Sequence, residues 1–244
     1  MTTSDLPLDQ IAFRPRSGYD ADAWYWSIPA VASLRSSPLS VPTPVTVLVG
    51  ENGSGKSTLV EAVALAWAGR LTAAVHHWGP QPSSEDTDLY RHLYLFGERP
   101  PPQGGCFLRA EAMHAHFAGI DRDSVELRAF EGRRLNTQSH GESFLAFLES
   151  RRYERGLYVL DEPEAALSFR GCLALLYLLG DAVAAGSQVI MATHSPLLAA
   201  FPGATVLVLS AEGIARRDWA DLDFVNDWRD FLTAPTRWLR HLTD

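Results

Sequence analysis

The sequence predicts an α/β fold, a mostly parallel sheet flanked by helices with a short helical insertion. Three observations predict it. Short apolar, β-branched runs recur along the chain as "PVTVLVG", "GLYVLDEPE", "QVIMATHSP" and "TVLVLS". Segments of helical periodicity lie between them. Glycine, proline and small polar residues stand at the junctions. Strands that alternate with helices favour parallel pairing, because a parallel neighbour is reached only through a long crossover.

Each element follows from its own residues. Residues 1–44 carry aromatics and then "RSSPLSVPTP", which reads as loops and short strands at an edge. "PVTVLVG" (44–50) suits a buried strand. In "KSTLVEAVALAWAG" (56–69), Leu59, Val63 and Trp67 fall at i, i+4 and i+8, and Gly69 marks the stop. Residues 70–105 are irregular, "CFLRAE" (106–111) is a further strand, and 112–135 form a small helical or mixed insertion. "NTQSHGESFLAFLESRR" (136–152) opens a helix, and "GLYVLDEPE" (156–164) is a strand that ends in acids. "FRGCLALLYLLGDAVAAG" (169–186) is an apolar helix closed by Gly186; two more strands and an "AEG" turn follow. In the tail, Trp228, Phe231, Leu232, Trp238, Leu239 and Leu242 suggest two amphipathic helices packed against the core. The expectation is one domain over 1–244. Its core spans about 45–70 and 156–220, an insertion region about 106–155, and the C-terminal helices about 221–244.

Composition narrows the function classes. The 244 residues are 46% hydrophobic, enough to bury a sizeable core. The net charge of −8 disfavours a broadly basic nucleic-acid surface, although "ESRRYER" (149–155) is a local candidate; a solvated, mixed-charge helix face reads that stretch better. Cys106 and Cys172 show neither disulfide nor metal spacing and read as small core residues. "MTTSDLPLDQ" lacks the layout of a secretory signal and no apolar run has membrane-spanning length, so a cytoplasmic location is expected.

The strongest chemical signal is "GENGSGKS" (50–57), which fits G-x-x-x-x-G-K-[ST] and runs from a strand into a helix. A chance glycine-rich turn is the alternative, and the flanking elements argue against it. Backbone amides of Gly50, Glu51, Asn52, Gly53, Ser54 and Gly55 can face one centre, with Thr58 just inside the helix. Lys56 can reach the β- and γ-phosphates of a nucleotide, and Ser57 can place its hydroxyl on Mg²⁺. Asp161 and Glu162 close an apolar strand at the sheet edge where such folds bind ligands. Adjacent strand residues point oppositely, so their roles should differ: Asp161 to hold Mg²⁺, directly or through water, and Glu162 to deprotonate a water. His194 follows the next strand at the same edge, where it can meet a γ-phosphate or simply sit in a turn with Ser195 capping a helix.

Taken together, "GENGSGKS", "QSHGES", "YVLDEPEAALS" and "ATHS" resemble the ATP-binding-cassette (ABC) class of P-loop ATPases, and the whole chain looks like the compact soluble bacterial ATPases similar to RecF and chromosome-maintenance heads. In that class a signature, usually LSGGQ or LSGGE, precedes the acidic strand by about twenty residues; here Ser139 precedes Asp161 by 22. Ser139, Gly141 and Glu142 match its Ser, second Gly and final acid or amide, while His140 replaces the first Gly. Ser139 and Glu142 also spell a capping box, so a plain helix start is true as far as it goes. The resemblance implies ATP and Mg²⁺ held between two copies, with Ser139, Gly141 and Glu142 closing the partner's site, Glu162 as general base, and His194 as the switch histidine. It also implies an ATP-dependent homodimer with a further protein partner, working as a conformational switch in DNA repair, defence or a related complex. The class places a glutamine after the strand that follows the phosphate loop; none stands there, and Glu111 is the residue assigned to that place, as a further metal contact. A missing coupling glutamine counts against the alternative of a transporter's nucleotide-binding subunit. A small P-loop phosphotransferase lacks its arginine-rich lid, and no N-K-x-D-like stretch favours GTP. The adenine contact stays open among Trp24, Tyr25 and Trp26, of which at least two read as buried edge aromatics.

Overall fold

The computed structural model describes residues 6–71, 87–121, 130, 134–135 and 139–240. In chain order the elements are β1 (Gln10–Phe13), α1 (Pro29–Ser33), β2 (Leu39–Ser40), β3 (Val45–Val49), α2 (Lys56–Ala68), α3 (Leu89–His92), β4 (Leu93–Phe96), β5 (Gly104–Arg109), α4 (Met113–Ile120), α5 (His140–Arg151), β6 (Gly156–Asp161), α6 (Phe169–Ala184), β7 (Gln188–Ala192), α7 (Pro196–Ala199), β8 (Thr205–Ser210), β9 (Gly213–Arg217), α8 (Asp223–Thr233) and α9 (Pro235–Leu239).

The main sheet has the order β5-β6-β7-β3-β8-β9. Its first five strands are parallel, and the β8–β9 hairpin adds one antiparallel edge. All five residues of β3 and all five of β7 are buried, as expected of strands covered on both faces. The pleat divides them. Leu48, Val159 and Ile190 face a cluster with Leu59, Val63 and Trp67 of α2, the three residues whose spacing marks that helix in the sequence. Val47, Val49, Tyr158, Leu160 and Met191 face the opposite cluster, with Phe144 and Phe147 of α5 and Leu175 and Leu179 of α6.

The N-terminal strands do not extend this sheet. β1 pairs antiparallel with β2 and with β4, forming a separate three-stranded sheet. Gln188, fully buried at the start of β7, ties the N-terminal segment down: its amide donates to Leu8 O at 2.8 Å and accepts from Leu8 N at 2.8 Å.

The C-terminal helices depart from the expectation of two helices packed on the core. α8 buries only Val225, and α9 buries no residue. Trp228, Leu232, Trp238 and Leu239 are all exposed. Periodicity identifies the face a helix could bury, not whether a surface is there to cover it. The outward stripe of α6 follows the same rule, with Phe169, Leu173 and Tyr177 exposed at i, i+4 and i+8. Leu242, the last residue of the expected tail pattern, lies outside the described residues, as do 72–86 of the expected irregular part, 122–129 and 131–133 of the expected insertion, and 136–138 at the opening of the signature-like stretch.

Candidate functional site

The phosphate-binding loop runs from the end of β3 into α2, as its sequence requires. Gly50, Gly53 and Gly55 all take positive φ. Gly55, at φ 94°, begins α2, and a side-chain carbon added there would stand 2.6 Å from the Ile28 Cγ2 atom. Only glycine meets both demands. Lys56 is buried, 4% exposed, and its ammonium folds back onto the Gly50 and Glu51 carbonyls, each at 2.9 Å. Burial lowers the Lys56 ammonium from its ordinary value, while Glu162, Asp161 and Glu164 pull the other way. Glu51, Asn52 and Gly53 are exposed at the tip, and Ser57 and Thr58 are half-buried in the first turn of α2. The Ser54 Oγ atom is buried without a hydrogen-bond partner.

The two acids follow from β6, which lies two places from β3 with β7 between. Asp161, 2% exposed, is the last residue of β6, and its Oδ1 accepts a hydrogen bond from the Ser57 hydroxyl at 3.0 Å. Glu162 leaves the strand with φ 49° and ψ 51°. Among the described residues it is the single non-glycine residue at positive φ, a backbone state that persists only where surrounding structure holds it. Its N–H donates to Ala192 O at 3.0 Å, at the end of β7. Its carboxylate stands 3.5 Å from the His194 Nε2 atom, and that nitrogen has no hydrogen-bond partner. Ser195 caps α7 by accepting from Leu198 N at 3.3 Å, so His194 sits in a turn that is itself a helix entry.

The structure therefore brings together Lys56, Ser57, Asp161, Glu162 and His194 at the C-terminal ends of β3, β6 and β7. It does not bring the signature-like residues to the same place as a binding surface of that centre. Ser139 is the N-cap of α5, and the capping box is complete. Glu142 N donates to Ser139 Oγ at 3.4 Å, and Ser139 N donates to the Glu142 carboxylate at 3.0 Å. The Ser139 hydroxyl also donates to that carboxylate at 2.6 Å, which holds the Glu142 carboxyl below its ordinary range. Ser139, His140 and Glu142 are exposed. Gly141 is not free: a side-chain carbon there would stand 2.9 Å from the Ala166 carbonyl oxygen, so the helix start is packed on the segment that follows the acids.

Three residues that sequence reasoning did not single out belong to the same centre. Arg109 ends β5 directly opposite Asp161 in the ladder; its Nε donates to Asp161 Oδ2 at 2.9 Å and its Nη2 to Glu61 Oε2 at 2.5 Å. Burial lowers the Arg109 guanidinium, but the two carboxylates outweigh it and the net direction is upward. Glu164 accepts from His194 N at 2.5 Å through Oε1, while its buried Oε2 has no partner. Glu111, the residue assigned to the missing glutamine, is exposed in the 3-10 turn Ala110–Ala112, and it is Arg109, two residues earlier, that reaches the acids. That position follows from the parallel pairing of β5 with the acidic strand, which no single stretch of sequence states. Of the three upstream aromatics, Tyr25 and Trp26 are buried and Trp24 is 62% exposed; none of the three lines the cleft beside the loop.

These residues fit a nucleoside triphosphate with Mg²⁺. Loop amides and a buried ammonium suit phosphate. A hydroxyl and a carboxylate 3.0 Å apart supply hard oxygen donors. Mg²⁺ keeps waters and phosphate oxygens in its shell, so it needs no all-protein cage; among the described residues no group of three His, Cys, Asp or Glu side chains forms one. A cleft of about 850 Å³ opens beside the loop, lined by Gly50–Ser54, His194, Phe224 and Trp228 among others.

Comparison with known proteins agrees with this chemistry. The AAA domain family matches residues 28–77. The cytochrome c biogenesis ATP-binding export protein CcmA of Rhodospirillum rubrum is 33% identical over 183 residues, which are 69% of this chain and 75% of that protein. The protein of the same name from Escherichia coli is 30% identical over 162 residues, 62% of this chain and 75% of that one. Solved structures superpose more loosely. The ATP-binding subunit of an ABC transporter gives a TM-score of 0.47 at 18% identity over 88% of this chain and 91% of that one, and the SMC head domain from Thermotoga maritima gives 0.45 at 18% over 86% and 98%. Among the described residues no helix is long and apolar enough to cross a membrane.

Proposed function

We propose that this chain, which belongs to the ABC-type ATPase family, is an ATP-hydrolysing subunit whose cycle drives a partner assembly of the export type. That it is an ATPase using ATP and Mg²⁺ follows from the family. The export partner is the finer step, and the names of its relatives support it. The leading expectation of a DNA-repair or defence complex finds no support in those relatives, and their names favour the alternative of a transporter's nucleotide-binding subunit despite the missing coupling glutamine.

The single observation that carries the ATPase reading is the convergence of Lys56, Ser57, Asp161, Glu162 and His194 on one sheet edge. Lys56 is placed to leave the Gly50 and Glu51 carbonyls for phosphate oxygens, which a partly desolvated ammonium binds well. Bound Mg²⁺ supplies charge neutralisation on the phosphates, with Ser57 and Asp161 as its protein ligands. Glu162 accepts the proton of the attacking water, and the neighbouring His194 nitrogen, free of any hydrogen bond, donates to the γ-phosphate. Glu164 holds the His194 backbone in register with the acids.

Ser139 and Gly141 lie at a helix start, which carries a positive dipole end. In this reading they close the site of a second copy in an ATP-dependent homodimer. Glu162→Gln is expected to keep ATP affinity, to lose roughly 10² to 10⁴ in turnover, and to accumulate an ATP-bound dimer on size exclusion. Wild-type turnover in that variant would remove Glu162 as the base. Co-purification with a polytopic membrane protein is the check on the export partner.

A further inference from the structure

Asp161 is placed to receive a divalent cation, yet both of its oxygens are already engaged. Oδ1 accepts from Ser57 at 3.0 Å and Oδ2 from the Arg109 guanidinium at 2.9 Å. The arrangement is built by register. β5 and β6 run parallel with Arg109 opposite Asp161, and Ser57 and Glu61 lie one turn apart on α2, so they share a face. Arg109 spans the gap between Asp161 and Glu61. The pair is partly desolvated, with the Asp161 side chain 3% exposed and that of Arg109 29%. A carboxylate so buried is costly unless a cation accompanies it.

We propose that Arg109 is a built-in countercation for Asp161, a positioning residue that sets how strongly nucleotide binding depends on Mg²⁺. Around the phosphate site, among the described residues, stand the carboxylates of Glu61, Asp161, Glu162 and Glu164 and the cations Lys56 and Arg109, with Arg217 on the wall of the adjoining cleft. Without metal, ATP brings several negative charges toward these acids. Arg109 neutralises Asp161 and so permits binding before Mg²⁺ arrives. With metal, the same guanidinium stands beside the ion's carboxylate ligand and opposes it. Glu61 moderates both effects by sharing the guanidinium. Arg109 thus narrows the difference between metal-free and metal-bound nucleotide affinity.

This inference rests on the reading of the loop and acids as an ATP·Mg²⁺ site, and its test separates the two. The measurement is the Kd of a fluorescent, non-hydrolysable ATP analogue in excess Mg²⁺ and in EDTA, taken as a ratio for each protein. Arg109→Gln is expected to raise the ratio of EDTA to Mg²⁺ values by roughly tenfold or more, the order set by one unit charge a few ångströms away at a partly screened site. Glu61→Gln leaves Arg109 with Asp161 alone and is expected to move the ratio the other way. Arg109→Lys retains the charge and should stay near wild type; it also serves if Arg109→Gln fails to fold. A purely architectural role, holding β5 to α2, would lower melting temperatures without moving the ratio in opposite directions. Ratios for Arg109→Gln (or Arg109→Lys, if it alone folds) that depart from these expectations, with the wild type binding normally, overturn the inference alone. Absence of any analogue binding by the wild type takes down the site reading and this inference with it.

Discussion

The phosphate loop and the start of α5 are both helix N-termini, and they are built to opposite plans. At the loop, Lys56 is 4% exposed and Asp161 2%; the Lys56 ammonium bonds the loop's own carbonyls, and Ser57 bonds across to Asp161 on β6. At α5, Ser139, His140 and Glu142 are exposed, and the side chains of Ser139 and Glu142 bond to each other. The first is an N-terminus whose lysine and facing carboxylate are buried by the fold itself. The second is a finished helix cap whose outer surface nothing in the chain covers among the described residues. One helix start thus draws its specificity from burial, and the other has it only if something docks there. The difference teaches that a motif match carries different weight in the two places, because only the loop is checked by its own fold.

The largest expected effect breaks this contrast directly. If the α5 start closes a second copy's site, Ser139→Arg should still bind ATP through its own loop but fail to dimerise, with hydrolysis down roughly 10²-fold or more, the scale of removing aimed donors. Lys56→Ala has the complementary defect. Mixing the two inactive chains leaves one composite site whole, and ATP-dependent heterodimers on size exclusion are the expected result. A Ser139→Arg chain that dimerises and turns over normally would make this stretch a cap and nothing more. Next comes Gly141→Ala, whose methyl meets the Ala166 carbonyl. It should cost about 1–3 kcal/mol in chemical denaturation, the range for overpacking, while leaving nucleotide binding at the loop intact. The smallest effect isolates the cap. Ser139→Ala should cost about 1 kcal/mol, and the penalty should be pH-dependent. Hydrogen bonds from Ser139 depress the folded pKa of Glu142. Its contribution is therefore present above the unfolded value and lost as pH falls through the folded one. The difference between the two melting curves should narrow in acid, leaving the part due to Glu142 N donating to Ser139 Oγ; a constant difference would place the Ser139 contribution outside its bond to the carboxylate.

The same contrast governs what the sequence could tell. The loop, Asp161 and Glu162 are legible because each is a short motif at the end of an apolar strand, and strand, turn and helix are local events. The α2 face was legible for the same reason, since Leu59, Val63 and Trp67 state their period within three turns. Arg109, Glu61 and Glu164 were not. Their roles depend on β5 lying beside β6 and on the turn after β7 approaching the turn after β6, and neither pairing is written in any one segment. The strand was expected to run to Glu111, and a two-residue shift in its end moved the assignment from Arg109 to an exposed acid. The tail failed differently: its apolar stripe is real, but α8 and α9 find little to cover it.

The packing of Gly141 on Ala166 has a mechanical consequence. Two segments touching across a space that would not admit a methyl group have no play between them, because close-packed matter transmits displacement instead of absorbing it. Ala166 belongs to the turn that leaves the acids, and Gly141 to the first turn of α5. A shift of the one toward the other has to displace it, so the turn that leaves the acids and the start of α5 are mechanically linked within the same chain.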